Sequence, residues 1–486
     1  MESLKPVLAV LARVLGGFSL AFLVPMGWAL ALDHIYLAYV WAGAFAVTLG
    51  TAWLMGRAVL RHRRELQPRD GFLLVTLVWV VLPLFSSIPL MLAVPGLDFT
   101  RAYFESMSGL TATGATAITG LDSLPVSVNV WRCFLQFVGG LGIILLVVAV
   151  LPLLGLGGVQ IYKAEAPGPM KDARLTPRIA QTARGLWTVY FVLSTACLLA
   201  YRWAGMSWAD AFMHMCSTMG LGGFSSHDTS FGYWNSPLLE GVAMFFMAVS
   251  GISFARYFIA WRARSVFTLL RDQEVRAYVY VMLLAMVLLT AVLGVNGIYT
   301  DSRESLRAVA FHVVSMATTT GYVSTDYTLW PAFGPVLLIF LGCFASCAGS
   351  TGGGIKMVRM ILLVKQARRE LVRIIHPRVV NPVTLAGAPV PVSVTANVLA
   401  YMLIYGAAIV GLSMLLLLSG MDLETAFSAV IACVNNIGPG LGSVGPSGSY
   451  EGLSAFQHWV LSFGMLIGRR ELLTVLVLFT PQFWRQ

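Results

Sequence analysis

Charged side chains are scarce in this sequence. Of its 486 residues, 11% are charged and 58% are apolar, and the mean hydropathy is +0.79. An ordinary soluble domain carries about 25% charged residues. The solvent around most of this chain is therefore predicted to be lipid.

Side-chain patterns for catalysis or metal binding are lacking as well. The six cysteines lie in or beside apolar stretches, and neither they nor the seven histidines show metal-ligand spacing or form a recognisable triad. We expect the cysteines to be small buried side chains. Acidic residues within the apolar stretches are almost absent except Glu471, and no stretch holds a polar cluster. The sequence predicts no enzyme and no covalently bound cofactor.

Long apolar stretches are what the sequence does contain. Because about 20 mostly apolar residues cross the hydrocarbon core of a bilayer, we predict an all-α integral membrane protein with ten spans. The predicted spans lie near residues 8–30, 36–56, 72–94, 131–156, 185–204, 238–260, 277–295, 332–363, 394–418 and 456–479. The first stretch could also be a cleaved signal peptide, but its long apolar run and the immediate second span favour a retained hairpin.

The net charge of +10 is concentrated in four loops between spans. Their basic residues are Arg57, Arg61, Arg63, Arg64 and Arg69; Lys163, Lys171, Arg174, Arg178 and Arg184; Arg262, Arg264, Arg271 and Arg276; and Lys365, Arg368, Arg369, Arg373 and Arg378. By the positive-inside rule these loops, and with them both termini, are cytoplasmic. Because the basic residues lie in loops between spans, we interpret them as determinants of membrane orientation and not as a nucleic-acid-binding surface.

The connections on the opposite side of the membrane repeat one pattern. They read RAYFESMSGLTATGAT (101–116), DAFMHMCSTMGLGGFSSHD (210–228), RAVAFHVVSMATTTGYVSTDY (307–327) and ETAFSAVIACVNNIGPGLG (424–442). Each has an apolar segment too short to span, then small or polar residues and a glycine. This predicts four pseudo-symmetric units of helix, pore loop and helix around a central pore. We expect an N-terminal two-helix hairpin at 1–66 and repeats at 67–160, 161–270, 271–375 and 376–486.

The candidate selectivity filter is the group of four residues that ends at the aligned glycine of each loop. These residues are Thr111, Ala112, Thr113 and Gly114; Met219, Gly220, Leu221 and Gly222; Thr318, Thr319, Thr320 and Gly321; and Asn435, Asn436, Ile437 and Gly438. None of them is charged, which favours rings of backbone carbonyls over a ring of carboxylates. The C-terminal ends of the short helices would point inward, where their partial negative charge also favours a cation. The segment from Thr218 to Gly222 shares a threonine and two glycines with the TVGYG filter of potassium channels.

The sequence resembles the Trk/Ktr/HKT superfamily of potassium transporters, and its TrkH branch most closely. The resemblance rests on SGLTATGAT (108–116), GGFSSHD (222–228), TTTGY (318–322), GSTGGGIK (349–356), HPRVVNPV (376–383), NNIGPGL (435–441) and GRRELLTVLVLFTPQFW (468–484). It implies a homodimer with one pore in each subunit, in the bacterial cytoplasmic (inner) membrane. It also implies potassium as substrate, with sodium or rubidium as further candidate ions, and a cytosolic TrkA-like regulatory subunit that binds the nucleotide.

A run of glycines interrupts the eighth predicted span. Residues 347–356 read CAGSTGGGIK, and so many glycines cannot continue a stable helix. A phosphate-binding loop would need Ser or Thr directly after Gly-Lys, whereas Gly354 is followed by Ile355 and Lys356. The resemblance implies instead an intramembrane gate that obstructs the pore beneath the filter. The residues assigned to this gate are Gly349, Ser350, Thr351, Gly352, Gly353, Gly354, Lys356 and Arg469.

The basic residues near the gate leave alternatives open. The resemblance makes Arg469 face the pore. Because successive helical positions point about 100° apart, Arg470 cannot share that direction, and an ion pair with Glu471 or a neighbouring helix is favoured for it. Lys356 and Arg359 could either reach the membrane interface or act in gating.

Potassium uptake through a channel-like pore is the function that these patterns predict. The alternative is a secondary symporter that couples potassium to protons or sodium, which would often show inverted repeats and intramembrane carboxylates. The four repeats here look parallel and carboxylates are scarce, so the channel-like interpretation is favoured. A membrane-embedded enzyme is disfavoured by the lack of a polar cluster in any span.

Overall fold

The computed structural model describes residues 4–59, 68–140, 142, 179–469 and 472–484. Within these ranges the regular structure is helical apart from one antiparallel pair of two-residue strands, Thr384–Leu385 with Ala388–Pro389. The predicted all-α fold is confirmed. An N-terminal hairpin comes first. It consists of α1 (Lys5–Ser19) and α2 (Leu23–Leu32), joined by a 3-10 turn at Leu20–Phe22, and of α3 (Ile35–Val59).

Each repeat has an outer helix, a short pore helix and an inner helix. Repeat 1 contains α4 (Pro68–Ala93), α5 (Phe99–Leu110) and α6 (Val126–Gly140). Repeat 2 contains α7 (Ile179–Trp203), α8 (Trp208–Gly220), and an inner segment in two parts, α9 (Pro237–Ser250) and α10 (Phe254–Ala263), followed by the short α11 (Phe267–Arg271). Repeat 3 contains α12 (Gln273–Val295), α13 (Ser302–Ala317), and an inner segment in two parts, α14 (Phe333–Phe344) and α15 (Met357–Ile375). Repeat 4 contains α16 (Val392–Leu418), α17 (Leu423–Val434) and α18 (Ala455–Arg469), and is followed by α19 (Leu472–Leu476) and α20 (Pro481–Trp484).

The hairpin and the outer helices behave as the sequence predicts. In the described part of the chain, six helices are long and apolar enough to cross a membrane: 5–32, 35–59, 69–93, 185–203, 273–295 and 392–418. They coincide with six of the ten predicted spans. Large apolar side chains on their outer faces, such as Val287 and Leu403, are exposed. This is the expected surface of a helix whose outer side meets lipid.

The inner segment of repeat 3 is interrupted, as the run of glycines predicts. Helix α14 ends at Phe344 and α15 begins at Met357. We call the intervening residues 345–356 the glycine loop. Its backbone returns toward α14, because the N–H of Ile355 donates to the carbonyl of Cys343 and the N–H of Met357 donates to the carbonyl of Ser346.

The inner segment of repeat 2 corrects the sequence prediction. The expected single span at 238–260 is two helices that meet at an angle of 86°. At this bend the carbonyl of Gly251 accepts the N–H of Cys347, and the N–H of Phe254 donates to the carbonyl of Gly349. Peptide groups that lose their helical partners at the bend are therefore bonded to the glycine loop, which compensates for the break.

The other two inner segments reach the edge of the described residues. In repeat 1, helix α6 is described as far as Gly140, and most of the remainder of the predicted span 131–156 lies outside the described residues. In repeat 4, helix α18 is described as far as Arg469, while Arg470 and Glu471 lie outside the described residues. Arg469 therefore stands in the last described turn of α18.

Polar caps start three of the pore helices and fix where they begin. Ser207 Oγ accepts the N–H of Asp210, and the carboxylates of Asp301 and Asp422 accept N–H groups of the first turns of α13 and α17. Apolar side chains pack in two large clusters, one around the hairpin with repeats 1 and 4 and the other around repeats 2 and 3. All six cysteines are buried thiols, as predicted.

Candidate functional site

The four pore helices end in loops that share one backbone conformation. In each loop a residue with left-handed φ is followed two places later by a glycine that also has positive φ. The left-handed residues are Ala112 (52°), Leu221 (53°), Thr319 (62°) and Asn436 (53°). The glycines are Gly114 (86°), Gly223 (76°), Gly321 (80°) and Gly438 (97°), which we call the ring glycines. A non-glycine residue in this region costs about 1–2 kcal/mol, so the surrounding contacts must impose the conformation.

This backbone register corrects the alignment of the second loop. Gly223, and not Gly222, occupies the position of the other three ring glycines. The backbone hydrogen bonds agree, because the residue before each ring glycine donates its N–H to a carbonyl five residues back. These bonds join Thr113 to Ser108 (2.8 Å), Gly222 to Ser217 (2.9 Å), Thr320 to Ser315 (2.8 Å) and Ile437 to Ala432 (2.8 Å). Met219 is thus one residue too early for the candidate filter and belongs to the last turn of α8.

The ring glycines close the four loops into a ring. A Cβ added to Gly114 would lie 2.1 Å from the carbonyl oxygen of Gly222, one on Gly223 would lie 2.0 Å from that of Thr320, and one on Gly321 would lie 2.0 Å from that of Ile437. A Cβ on Gly438 would lie 2.8 Å from the carbonyl oxygen of Thr113. Each glycine therefore packs against the residue that precedes the next ring glycine, in the order 1, 2, 3, 4 and back to 1. Glycine is required at these positions both by φ and by space.

One cavity adjoins the whole ring. It has a volume of about 90 Å³, and all four ring glycines line it. Polar groups of the connections beyond the ring complete its wall, among them Thr116, Ser225 and Tyr450. The ring therefore opens toward the side of the molecule on which these connections lie.

Hydroxyl and amide groups form hydrogen bonds within and between the loops on their buried side. Thr111 Oγ1 and Thr113 Oγ1 are 2.7 Å apart, and Thr318 Oγ1 and Thr320 Oγ1 show the same spacing in repeat 3. Asn436 Nδ2 donates to Thr113 Oγ1 at 2.8 Å and so joins repeat 4 to repeat 1. The predicted filter residues of the four loops are thus brought together, with Met219 as the exception in register.

The glycine loop lies against the inner ends of three pore helices. Thr351 Oγ1 donates to the carbonyl of Met219 at 3.0 Å, and the N–H of Gly353 donates to Thr319 Oγ1 at 2.9 Å. A Cβ on Gly353 would lie 2.1 Å from the carbonyl oxygen of Asn435 in repeat 4. Side chains larger than hydrogen at this point would push the loop away from the pore helices.

Two cations hold this loop. Arg469 donates to the carbonyl of Thr351 and also to the carbonyls of Gly139 and Gly140 at the described end of α6. Lys356 is buried and donates through Nζ to the carbonyl of Gly352. The interfacial position considered for Lys356 is therefore wrong. Arg359, also buried, places its guanidinium 4.0 Å from the centre of the Tyr401 ring.

A carboxylate that the sequence analysis did not single out bonds the glycine loop near its start and α15 just after its end. Glu274 Oε1, in the first turn of α12, accepts the N–H of Ala348 at 2.7 Å and the N–H of Val358 at 3.1 Å. A second carboxylate corrects the expectation that the predicted spans hold almost no acidic residue except Glu471. Glu240, in the first turn of α9, forms two bonds of 2.8 Å with Arg307 of α13. Both glutamates could have been found in the sequence, because each is an acidic residue at the start of an apolar helix.

A fold that is helical apart from one short strand pair, with four membrane-length outer helices and four short helices whose loops close into a ring, defines a multi-pass membrane protein. A family model described as TrkH, cation transport protein, matches residues 42–486, so the chain belongs to the TrkH family of cation transport proteins. The Trk system potassium uptake protein TrkH of Halomonas elongata is 43% identical over the whole of both chains. That of Escherichia coli K12 is 41% identical over 91% of each chain. The crystal structure of the potassium transporter TrkH from Vibrio parahaemolyticus matches with a TM-score of 0.90 at 38% identity, over 99% of each chain. The recognition of this family and the predicted all-α membrane fold are thus confirmed.

Proposed function

We propose that this chain takes up potassium across the bacterial cytoplasmic membrane through a channel-like pore. The observation that carries the proposal is the closed ring, in which every ring glycine packs against the carbonyl of the next loop. Similar proteins named for potassium uptake support the choice of ion.

Selection takes place at the backbone of the four loops. We keep the predicted filter residues, with Gly220, Leu221, Gly222 and Gly223 as the corrected set in repeat 2. These side chains carry no charge, so backbone carbonyls replace part of the hydration shell of a monovalent cation. The carbonyl ends of the four pore helices add a partial negative charge. Because adjacent loops are packed against one another, the spacing of the carbonyls is set by the ring as a whole.

The glycine loop is the gate in this proposal, with Lys356 and Arg469 as its basic residues. It contacts the pore helices of repeats 2, 3 and 4, and Arg469 joins it to α6 of repeat 1. Opening would break a small number of hydrogen bonds, each with a net value of about 0.5–1.5 kcal/mol, or about 1.5–3 kcal/mol where one partner is charged. A partner that binds the open state more tightly than the closed state could supply the free energy needed to break these bonds.

The proposal extends to the assembly. We propose a homodimer with one pore in each subunit, both termini in the cytoplasm, and a cytosolic TrkA-like partner that binds the nucleotide. The support for these features is the family resemblance and the basic residues around α10, α11 and α15, such as Arg264, Arg271 and Arg373. The hairpin at 1–66 and the repeats at 67–160, 161–270, 271–375 and 376–486 are the units of this arrangement.

Coupled symport is the competing function. The buried carboxylates Glu105 and Glu240 are each paired with an arginine, and Glu274 accepts two backbone N–H groups. Two of these three carboxylates are thus held in ion pairs, which favours the channel-like function.

Reversal potentials distinguish the two functions. Purified protein in a planar bilayer, with its cytosolic partner present, is placed between unequal potassium concentrations. A channel-like pore should reverse near the Nernst potential of potassium and should keep that value when a proton or sodium gradient is added. A reversal potential that moves with the added gradient would establish coupling.

Matched glycine variants link the current to the ring. Gly114→Ser should lower the permeability of potassium relative to sodium, because its Cβ would overlap a carbonyl of the next loop. Gly406→Ser in α16 is the control, since a Cβ there meets nothing within 4 Å. If the parent protein shows neither current nor rubidium uptake into liposomes, with or without the partner, the pore proposal is wrong.

A further inference from the structure

A polar side chain from the pore helix braces the chain just beyond each ring glycine. We call the three residues after each ring glycine the exit segments: 115–117, 224–226, 322–324 and 439–441. The residue nine places before the ring glycine faces this segment in repeats 1 to 3. These residues are Glu105, His214 and His312, and the equivalent in repeat 4 is Ala429.

In repeats 2 and 3 the brace is a histidine. His214 Nδ1–H donates to the carbonyl of Asp210, and Nε2 is hydrogen-bonded to the hydroxyl of Ser225 at 2.9 Å. His312 Nε2 accepts the N–H of Ser324 at 3.3 Å. In repeat 4, where Ala429 cannot reach, Ser428 Oγ accepts the N–H of Leu441 at 2.8 Å. The brace is therefore a property of all four repeats.

Repeat 1 builds the brace from an ion pair. Glu105 and Arg132 are 0% and 1% exposed, and Glu105 Oε1 lies 2.7 Å from Arg132 Nε. The carboxylate accepts the N–H of Ala117 at 2.8 Å and the hydroxyl of Thr116 at 3.0 Å. Both donating groups belong to the exit segment of repeat 1.

Arg132 extends the same network to repeat 2. Its Nη2 donates to Thr116 Oγ1 at 3.1 Å, and its Nη1 donates to the carbonyl of Ser225 at 3.2 Å and to Asn129 Oδ1 at 3.1 Å. The guanidinium also lies 4.4 Å from the centre of the Phe224 ring. One planar guanidinium thus bonds the exit segments of two adjacent loops. A lysine could not do so, because its ammonium group lacks the planar fork of donors.

A contribution to folding stability does not by itself explain why an ion pair is buried at this position. A buried ion pair is often no more stabilising than apolar side chains of the same volume, because both charges lose their hydration. Its fixed hydrogen-bond directions instead define a unique geometry. Arg132 also lines the cavity beside the ring. The negative charge of Glu105 balances a positive charge that would otherwise repel an arriving cation.

We propose that Glu105 and Arg132 are positioning residues that fix the spacing of the first and second loops and thereby set the discrimination between potassium and sodium. Neither residue binds the ion in this mechanism. The inference rests on the proposed function and adds to it a charged network behind the ring.

Substitutions of this pair are tested beside a substitution in another Glu–Arg pair, in which the glutamate is buried and the arginine is partly exposed. Glu105→Gln keeps the volume but removes the charge, and Arg132→Lys keeps the charge but loses the fork. Both should lower the permeability ratio of potassium to sodium at least about fivefold, the effect of losing one hydrogen bond. Glu240→Gln is the control, since the Glu240–Arg307 pair joins α9 to α13 away from the exit segments. It should lower the melting temperature and leave the permeability ratio unchanged.

The outcomes separate the inference from the proposed function. If the parent selects potassium and Glu105→Gln conducts with the parental ratio, the positioning role is wrong while the pore proposal stands. If the parent does not discriminate between the ions, the proposed function has failed first. If Glu105→Gln and Arg132→Lys do not fold, the permeability ratio of Thr116→Val tests the inference instead. This variant removes the hydroxyl that both partners share, and a parental permeability ratio in it would overturn the inference.

Discussion

Two adjacent glycines in the second loop allow a direct test of the ring. Alanine at Gly223 should damage selectivity far more than alanine at Gly222. Gly223 has a φ of 76°, and a Cβ there would lie 2.0 Å from the carbonyl oxygen of Thr320. Gly222 has no positive φ, and a Cβ there would meet the end of the Gln136 side chain, with Cδ at 2.3 Å.

The structure gives the size of both effects. Real Cβ atoms essentially never approach another atom closer than 3.0 Å, so Gly223→Ala must move a backbone carbonyl by about 1 Å. The left-handed φ adds about 1–2 kcal/mol of strain. In Gly222→Ala the Gln136 carboxamide can rotate away, at the loss of its bonds to the Gly222 carbonyl (2.7 Å) and the Phe224 N–H (3.0 Å). That loss is about 0.5–1.5 kcal/mol for each bond.

The assay is the bi-ionic reversal potential of each variant, with a melting curve of the same preparation. We expect the permeability ratio of potassium to sodium to fall at least about tenfold in Gly223→Ala, since a strain of 1.4 kcal/mol corresponds to that factor. In Gly222→Ala the ratio should fall less than in Gly223→Ala, because a side chain and not a ring carbonyl moves away from the new Cβ, and the melting temperature should also decrease. Equal ratios in the two variants, or a larger loss in Gly222→Ala, would refute the register and the closed ring with it.

Four further predictions concern the filter, the gate and the outer connections. Gly114→Ser should lower the potassium-to-sodium permeability ratio, because its Cβ would lie 2.1 Å from a carbonyl oxygen of repeat 2; an unchanged ratio contradicts the alignment of the first loop. Deletion within Gly349–Gly354 should raise rubidium flux and weaken control by the cytosolic partner, and a folded deletion variant with parental flux would make the loop a structural break only. Arg469→Ala should raise single-channel conductance, with Arg469→Lys between it and the parent, because lysine keeps the charge but cannot bond carbonyls of the loop and α6 together; parental conductance in both variants rules out a barrier role. Burial lowers the pKa of His227, but the carboxylate of Asp210, 3.6 Å away, and a hydrogen bond to Asp122 raise it above the ordinary value of 6.5. The stability that these two interactions provide is therefore complete below that pH and is lost as pH rises through the raised pKa. The melting temperature of the parent should therefore fall more than that of His227→Gln between about pH 5 and 8, and identical slopes would contradict it.

The sequence by itself determined the membrane-crossing scaffold. Six predicted spans coincide with helices because the length of an apolar stretch is a local property that one segment carries alone. The break between Phe344 and Met357 was equally local, since a run of glycines weakens a helix in any surroundings. The four short helices with a glycine after each were visible through their repetition, and this placed nearly all of the candidate filter.

Tertiary structure decided the rest, because the deciding partners come from distant parts of the chain. The bend at Gly251 depends on bonds to Cys347 and Gly349, so residues 238–260 by themselves did not predict it. The choice of Gly223 over Gly222 depends on the carbonyl of Thr320, since two successive glycines are locally equivalent. Glu105, Glu274 and Arg469 acquire their partners in the same way, from other repeats or from helices many residues away. The sequence predicts that a buried polar group needs a hydrogen-bond partner, but only the folded chain determines which group that partner is.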